Sequence, residues 1–140
     1  MPDTPPTATD AAARAAFLDA ARFDRDGLIA CIAQQHDTGE VLMMAWMNRA
    51  ALAETLATGR VCYWSRSRQA LWRKGETSGQ VQRLVDLRLD CDGDAVLALV
   101  NQHGVACHTG RRNCFYRAIR DGGVVELTRP EADPAALYGR

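Results

Sequence analysis

The sequence predicts an α+β domain, mainly an antiparallel β-sheet with a few short helices. Three observations carry this. Apolar runs of strand length recur along the chain, one of them alternating apolar and polar residues with period two. Gly-, Asp- and Ser-containing turn signals separate them. One segment carries both a helix N-cap and a terminating glycine. Strands in succession with one or two short helices fit an α+β order.

Taken in order, residues 11–23 are rich in alanine, with Phe17, Leu18 and Ala21 on one side, and read as a helix. Residues 24–27 break it. Residues 28–35 read as a strand, His36-Asp37-Thr38-Gly39 as a turn and residues 40–46 as the returning strand of a hairpin. Asn48 is an N-cap for a helix over 49–58, and Gly59 stops it. Residues 61–64 form a β-rich run, followed by the basic turn Ser65-Arg66-Ser67-Arg68. Residues 71–79 read as a polar, glycine-punctuated loop. Residues 81–89 alternate as a half-buried strand should, and 95–102, 114–119 and 124–127 supply further strands.

The 140 residues fit one domain, and a hydrophobic content of 47% fits a packed core. Residues 1–10, rich in Pro, Thr and Asp, are expected to form a disordered tail, with 11–140 as a single domain. There are no repeats and no linker. Seventeen basic residues balance 17 acidic ones, so no global basic field favours nucleic acid or an anionic membrane. The same neutrality opposes self-association only weakly. The first residues lack the basic region and apolar core of a signal peptide, and the longest apolar runs are strand-sized. A soluble, cytoplasmic protein is expected.

Five cysteines are an odd number for a disulfide framework. Cys31 and Cys62 lie in apolar runs and read as small buried hydrophobes. Cys91, Cys107 and Cys114 flank polar, Gly-containing loops. Cys91 is set among Asp90, Asp92 and Asp94, so hard oxygen donors and soft sulfur donors share one stretch. If that stretch is extended, the three aspartates share one face and Cys91 takes the other. An oxygen site suited to Mg²⁺ would then back onto a sulfur site suited to Zn²⁺. An EF-hand loop counted from Asp90 needs Gly at position six and Glu at twelve, where Ala95 and Asn101 stand. A solvated acidic turn is the alternative for the aspartates.

The three thiols match no zinc-ribbon spacing, but three ligands leave the open fourth position of a catalytic zinc. His108 follows Cys107 directly, and neighbouring side chains on an extended segment diverge. His108 therefore suits proton transfer beside the metal better than ligation.

Several motifs, in order over about residues 23–119, resemble phosphoribosyl-AMP cyclohydrolase, an enzyme family of histidine biosynthesis. They are Gly39-Glu40-Val41-Leu42-Met43, Ala45-Trp46-Met47-Asn48, Tyr63-Trp64-Ser65-Arg66-Ser67-Arg68, Leu71-Trp72-Arg73-Lys74-Gly75-Glu76-Thr77-Ser78-Gly79, Asp90-Cys91-Asp92-Gly93-Asp94 and Cys107-His108-Thr109-Gly110. The resemblance implies a homodimer with zinc sites at the subunit interface. Cys91 of one chain would join Cys107 and Cys114 of the other, and Asp90, Asp92 and Asp94 would hold Mg²⁺. It also implies opening of the adenine ring of phosphoribosyl-AMP between N1 and C6. Zinc brings the pKa of bound water to about 7, and the hydroxide can add to C6.

A substrate with two phosphate groups needs local cations. Arg66, Arg68, Arg73, Lys74, Arg111 and Arg112 are candidates, with Thr77, Ser78 and Gly79 as a hydroxyl and backbone cradle. Two positions depart from the family pattern. Gln80 stands where many members carry histidine, and Asn113 where serine is common. The residues after Ile119 are too few for the pyrophosphohydrolase domain fused to some relatives, so a monofunctional chain is expected. A zinc nucleobase deaminase would need His-x-Glu and Pro-Cys-x-x-Cys signatures, which are absent. A non-catalytic zinc-stabilised module would need a fourth ligand and leaves the aspartates unexplained.

Overall fold

In the computed structural model, residues 11–138 are described; the expected tail at 1–10 lies outside them. The first helix, α1 (Ala11–Ala20), ends sooner than its alanine-rich sequence implies. The Arg22 amide leaves the helical path and donates to the Gly93 carbonyl at 2.7 Å. Phe17, Leu18, Ala21 and Phe23 pack on the core from this segment. The break at 24–27 is an Asx turn, in which Asp24 Oδ1 accepts from the amides of Asp26 (2.8 Å) and Leu28 (3.0 Å).

Strands β1 (Ile29–Gln35) and β2 (Val41–Met47) form the expected hairpin, in register from Ile29↔Met47. Helix α2 (Arg49–Thr58) begins where Asn48 Oδ1 accepts the Ala51 amide at 2.8 Å, a cap worth about 1 kcal/mol. It ends where the Gly59 amide donates to Thr55 O. Its Ala51, Leu52, Thr55 and Leu56 are buried.

Strands β3 (Cys62–Ser65) and β4 (Ala70–Arg73) pair antiparallel. The first third of the expected loop is thus a strand: Leu71 and Trp72 face Trp64 and Tyr63 across the ladder. The short run Leu71-Trp72 is apolar enough to pair, but the polar Arg73-Lys74-Gly75 after it masks the signal. Strands β5 (Gln82–Leu89) and β6 (Ala95–Gln102) form a second hairpin around the acidic turn.

The six strands lie in the order β4-β3-β2-β1-β6-β5. The sheet is mixed rather than purely antiparallel, because β1 and β6 pair in parallel from Ala30↔Ala95 to Gln35↔Val100. After β4 the chain crosses to the far edge, so the β5–β6 hairpin inserts with β6 running alongside β1. Bonds from Val61 N to Gln82 O and from Leu84 N to Gly59 O curl that edge back toward the start of β3.

Cys31, Ala33, Leu42, Met47, Leu52, Val61, Tyr63, Leu84, Val96 and Val100 are buried in the core inside this curl. Cys31 and Cys62 are fully buried, as expected, and burial pushes their thiols up to about 12 and about 11. A separate hairpin, β7 (Arg117–Arg120) and β8 (Gly123–Glu126), and a short helix α3 (Pro134–Tyr138) complete the described chain. The strand expected from residue 114 starts later, because Cys114 donates its amide to Leu42 O and Phe115 its amide to Asn113 Oδ1.

Candidate active site and metal centres

The acidic stretch is a turn, not an extended segment. Gly93 takes φ +75°, and its amide closes onto Asp90 O at 3.0 Å. Asp90 Oδ1 accepts the amides of Asp94 (3.0 Å) and Ala95 (3.3 Å). The strand alternation expected to separate the aspartates from Cys91 therefore does not operate. The turn itself gathers the carboxylates: Asp90, Asp92 and Asp94 each offer an oxygen within 4.8 Å of the others, all exposed. Octahedral Mg²⁺ with bonds of about 2.1 Å needs ligand oxygens about 3–4 Å apart, which small rotamer changes reach.

Charge is already strained there. Desolvation pushes the Asp90 carboxyl up, but amide hydrogen bonds from Asp94, Ala95 and Gly93 outweigh it and hold it below its ordinary value. The Asp94 carboxyl is raised, first by its contact with Asp90 and then by the charge of Asp90. A dication would relieve that repulsion.

At the other end of β6, the loop over residues 103–116 brings Cys107 close enough to Cys114 to raise its thiol further. Cys107 is 4% exposed, and its sulfur accepts the Thr109 hydroxyl at 3.0 Å. The Cys114 thiol is pushed up to about 12, by burial first and then by Cys107, with Lys74 acting against the shift. The loop is fixed by Cys107 N to Arg111 O, Ala106 N to Arg112 O and Gly110 N to Cys107 O. Two soft donors at one point suit zinc and are too few to hold it alone. Among the described residues, the aspartates are the only three such ligand groups within range of one another. Cys91 is exposed on the acidic turn and does not join Cys107 and Cys114 within the chain.

His108 is exposed beside this thiol pair and lines a cleft of about 660 Å³. Arg68, Trp72, Arg73, Lys74, Thr77 and Ser78 line the same cleft. The candidate cations separate by what already holds them. Arg68 is exposed, with Ser65 Oγ as its side-chain partner at 3.4 Å. Arg66 lies over the Trp46 ring at 5.1 Å, on a neighbouring surface. Arg73 makes two bonds to the Glu54 carboxylate, at 2.7 and 2.9 Å. Arg111 is buried, bonded to Glu126 (3.0 Å) and Thr128 O (3.1 Å) and stacked on Tyr116. Arg112 bonds to Gln35 Oε1 (2.9 Å), Glu40 Oε1 (3.4 Å) and the carbonyls of Gln102 and Gly104. Gly79 is not among the lining residues; its amide is taken by Gly75 O.

Residues 43–116, which span the cleft, the acidic turn and the thiol loop, match the family model described as phosphoribosyl-AMP cyclohydrolase. The chain belongs to the phosphoribosyl-AMP cyclohydrolase family. It is 71% identical over 123 residues to the phosphoribosyl-AMP cyclohydrolase of Granulibacter bethesdensis, covering 87% of this chain and 96% of that one. It is 70% identical over 119 residues to that of Rhodospirillum centenum, covering 85% and 90%. It is also 70% identical over 118 residues to the phosphoribosyl-AMP cyclohydrolase 2 of Pseudomonas fluorescens, covering 84% and 80%. The chain is thus an enzyme, a hydrolase of this family. Among the described residues, no helix is long and apolar enough to cross a membrane.

Within the cyclohydrolase frame, sequence reasoning missed a chain of buried amides behind the thiol loop. Tyr63 donates its hydroxyl to Gln82 Oε1 (2.7 Å), and Gln82 Nε2 to Gln102 Oε1 (2.8 Å). Gln102 Nε2 donates to His103 O (2.9 Å) and Gln80 O (3.1 Å). The Val105 amide donates to Gln80 Oε1 at 2.8 Å. Gln80 therefore ties the cleft loop to the thiol loop. One signal was present in the sequence: Gln82 shares its strand parity with Leu84, and Gln102 with Val96, Ala98 and Val100, so both fall on inward-facing positions.

Proposed function

We propose that the chain hydrolyses the adenine ring of 1-(5-phosphoribosyl)-AMP at the N1–C6 bond, in histidine biosynthesis, giving the formimino-carboxamide ribotide. Phosphoribosyl-AMP cyclohydrolase activity is the coarse part of this reading and is supported by the family membership and the named relatives. The finer part is the use of two metals and two chains. The observation that carries it is the thiol pair Cys107–Cys114 beside His108 at the cleft.

In this reading Cys107 and Cys114 hold zinc, and Asp90, Asp92 and Asp94 hold Mg²⁺. Zinc lowers the pKa of bound water to about 7, making hydroxide available at neutral pH. One chain supplies two sulfurs at the thiol loop, and its third exposed-loop thiol lies elsewhere. A homodimer in which Cys91 comes from the partner would complete the set. The remaining steps fall to side chains. His108 takes a proton as oxygen adds to C6 and returns one to N1 as the N1–C6 bond breaks, leaving a neutral carboxamide. Arg68, and Arg66 at the neighbouring surface, are exposed and among the described residues have no carboxylate partner, so they suit the substrate phosphates. Thr77 and Ser78 add hydroxyls, and the Trp72 ring offers a flat apolar surface to the purine. Arg73, Arg111 and Arg112 serve the fold, held by Glu54, Glu126 and Glu40. The cytoplasm is the proposed location.

The test is a ring-opening absorbance assay on phosphoribosyl-AMP run alongside metal analysis. Turnover that tracks zinc content supports the reading. Full turnover in protein stripped of zinc would reject the metal assignment while leaving the cyclohydrolase activity in place.

A further inference from the structure

The loop over residues 103–116 contains no helix or strand, so no regular element fixes Cys114 relative to Cys107. Main-chain bonds do so instead. Cys107 N donates to Arg111 O (3.1 Å) and Ala106 N to Arg112 O (3.0 Å), while Cys114 N donates to Leu42 O in β2 (2.7 Å). Cys107 is thus tied to residues 111–112, and Cys114 to the start of β2. The relation between the two thiols depends on what holds residues 111–113 against that strand.

Glu40, the residue before β2, provides that hold. Its Oε2 accepts the Asn113 side-chain amide at 2.8 Å, and its Oε1 pairs with Arg112 Nε at 3.4 Å. Arg112, Asn113 and Cys114 are therefore gripped in succession by Glu40 Oε1, Glu40 Oε2 and Leu42 O. Arg112 carries the grip to the start of the loop. Its Nη2 donates to Gln35 Oε1 (2.9 Å), and its Nη1 to the carbonyls of Gln102 (3.3 Å) and Gly104 (2.5 Å). Gln35 is 4% exposed, and its Oε1 also accepts the Gln102 amide at 2.9 Å. Both ends of the β1–β2 turn, Gln35 and Glu40, bear on the thiol loop.

We infer that Glu40 is a positioning residue for the thiol pair, its one carboxylate divided between Arg112 and Asn113 so that Cys114 is held in fixed relation to Cys107. It acts through the residues beside the thiols. This rests on the reading that Cys107 and Cys114 hold zinc. Donors already in place need not be ordered when the metal binds.

The test uses the full chain and reads zinc affinity by competition with a chromophoric chelator. Glu40→Ala should bind zinc about tenfold more weakly or worse. Glu40→Gln keeps one acceptor oxygen and should lose about fivefold. Asn48→Ala, which removes the α2 cap at the far end of β2, is the control for lost stability and should match the parent. With Co²⁺ at saturation in place of zinc, the thiolate charge-transfer band should change in Glu40→Ala and not in Asn48→Ala. A second reading needs no metal. In a Cys91→Ser background, modification of Cys107 by a thiol reagent, located by mass spectrometry, should be faster with Glu40→Ala and unchanged with Asn48→Ala. Parental zinc affinity in Glu40→Ala would overturn the inference. Equal losses in Glu40→Ala and Asn48→Ala would overturn it in favour of general stability. Should Glu40→Ala fail to fold by circular dichroism, Glu40→Gln is read against the same outcomes. A parent that binds no zinc fails the thiol-site reading itself; the labelling then decides the hold on the loop, and an unchanged Cys107 rate overturns that as well.

Discussion

Replacing Gly104 by alanine tests how the thiol loop is held. Gly104 sits at φ +72°, and a Cβ built there would overlap Gln80 Oε1. That oxygen is the far end of a flexible side chain, so Gln80 can swing aside. Doing so releases the Val105 amide, whose bond to it is 2.8 Å and whose residue is 4% exposed. A buried amide without a partner costs about 1–3 kcal/mol. Alanine at positive φ adds about 1–2 kcal/mol. The expected loss is about 3 kcal/mol, or a fall in Tm of about 10 °C for a domain of this size. Gly79→Ala is the control: it has φ +79° but meets nothing within 4 Å, so only the conformational cost of about 1–2 kcal/mol applies. Thermal unfolding of metal-free protein reads both. Adding Gln80→Ala to Gly104→Ala should cost little more, because the overlap has already broken that hydrogen bond. Equal losses at Gly104 and Gly79, or strictly additive losses in the double variant, would refute the tether between the cleft loop and the thiol loop.

Two further outcomes follow from the site. Single Asp90→Asn, Asp92→Asn and Asp94→Asn variants should need more Mg²⁺ while keeping zinc. Because Asp90 holds the Asp94 carboxyl above its ordinary value, Asp94→Asn should also raise the Tm of metal-free protein and reduce the Tm gain on adding Mg²⁺; unchanged Mg²⁺ dependence in all three would leave only an acidic turn. His108→Ala should keep zinc and lose about 10²–10⁴-fold in turnover, with one limb of the pH–rate profile gone. Stoichiometric loss of zinc in that variant would make His108 a ligand instead.

Much of this was legible where chemistry is local. The α2 cap at Asn48 is set by one side chain and its neighbours, and it lies where the sequence puts it. The β1–β2 hairpin follows from two apolar runs around a Gly-containing turn. Burial of Cys31 and Cys62 follows from the runs that contain them. What depends on distant residues was harder to read. The parallel β1–β6 pairing is decided by a crossover that no local pattern encodes. Strand β4 exists because Trp64 and Tyr63 offer it a partner. Gathering of the aspartates was expected for the wrong reason, since Gly93 and the Asp90 side chain make a turn where alternation was assumed. The ion pairs of Arg111 with Glu126 and of Arg112 with Glu40 rest on contacts 15 and 72 residues away in sequence.

The central claim is a zinc site that takes Cys107 and Cys114 from one chain and Cys91 from another. Its most direct test mixes two inactive proteins, Cys91→Ser and Cys107→Ser, under conditions where subunit exchange is verified by native mass spectrometry. Each variant alone should lack zinc and ring-opening activity. Each mixed dimer regains one intact site, so equal mixing should restore about a quarter of parental zinc and turnover, half the dimers being mixed with one of two sites each. Verified exchange with no recovery, or full zinc retention in Cys91→Ser alone, would contradict a shared site.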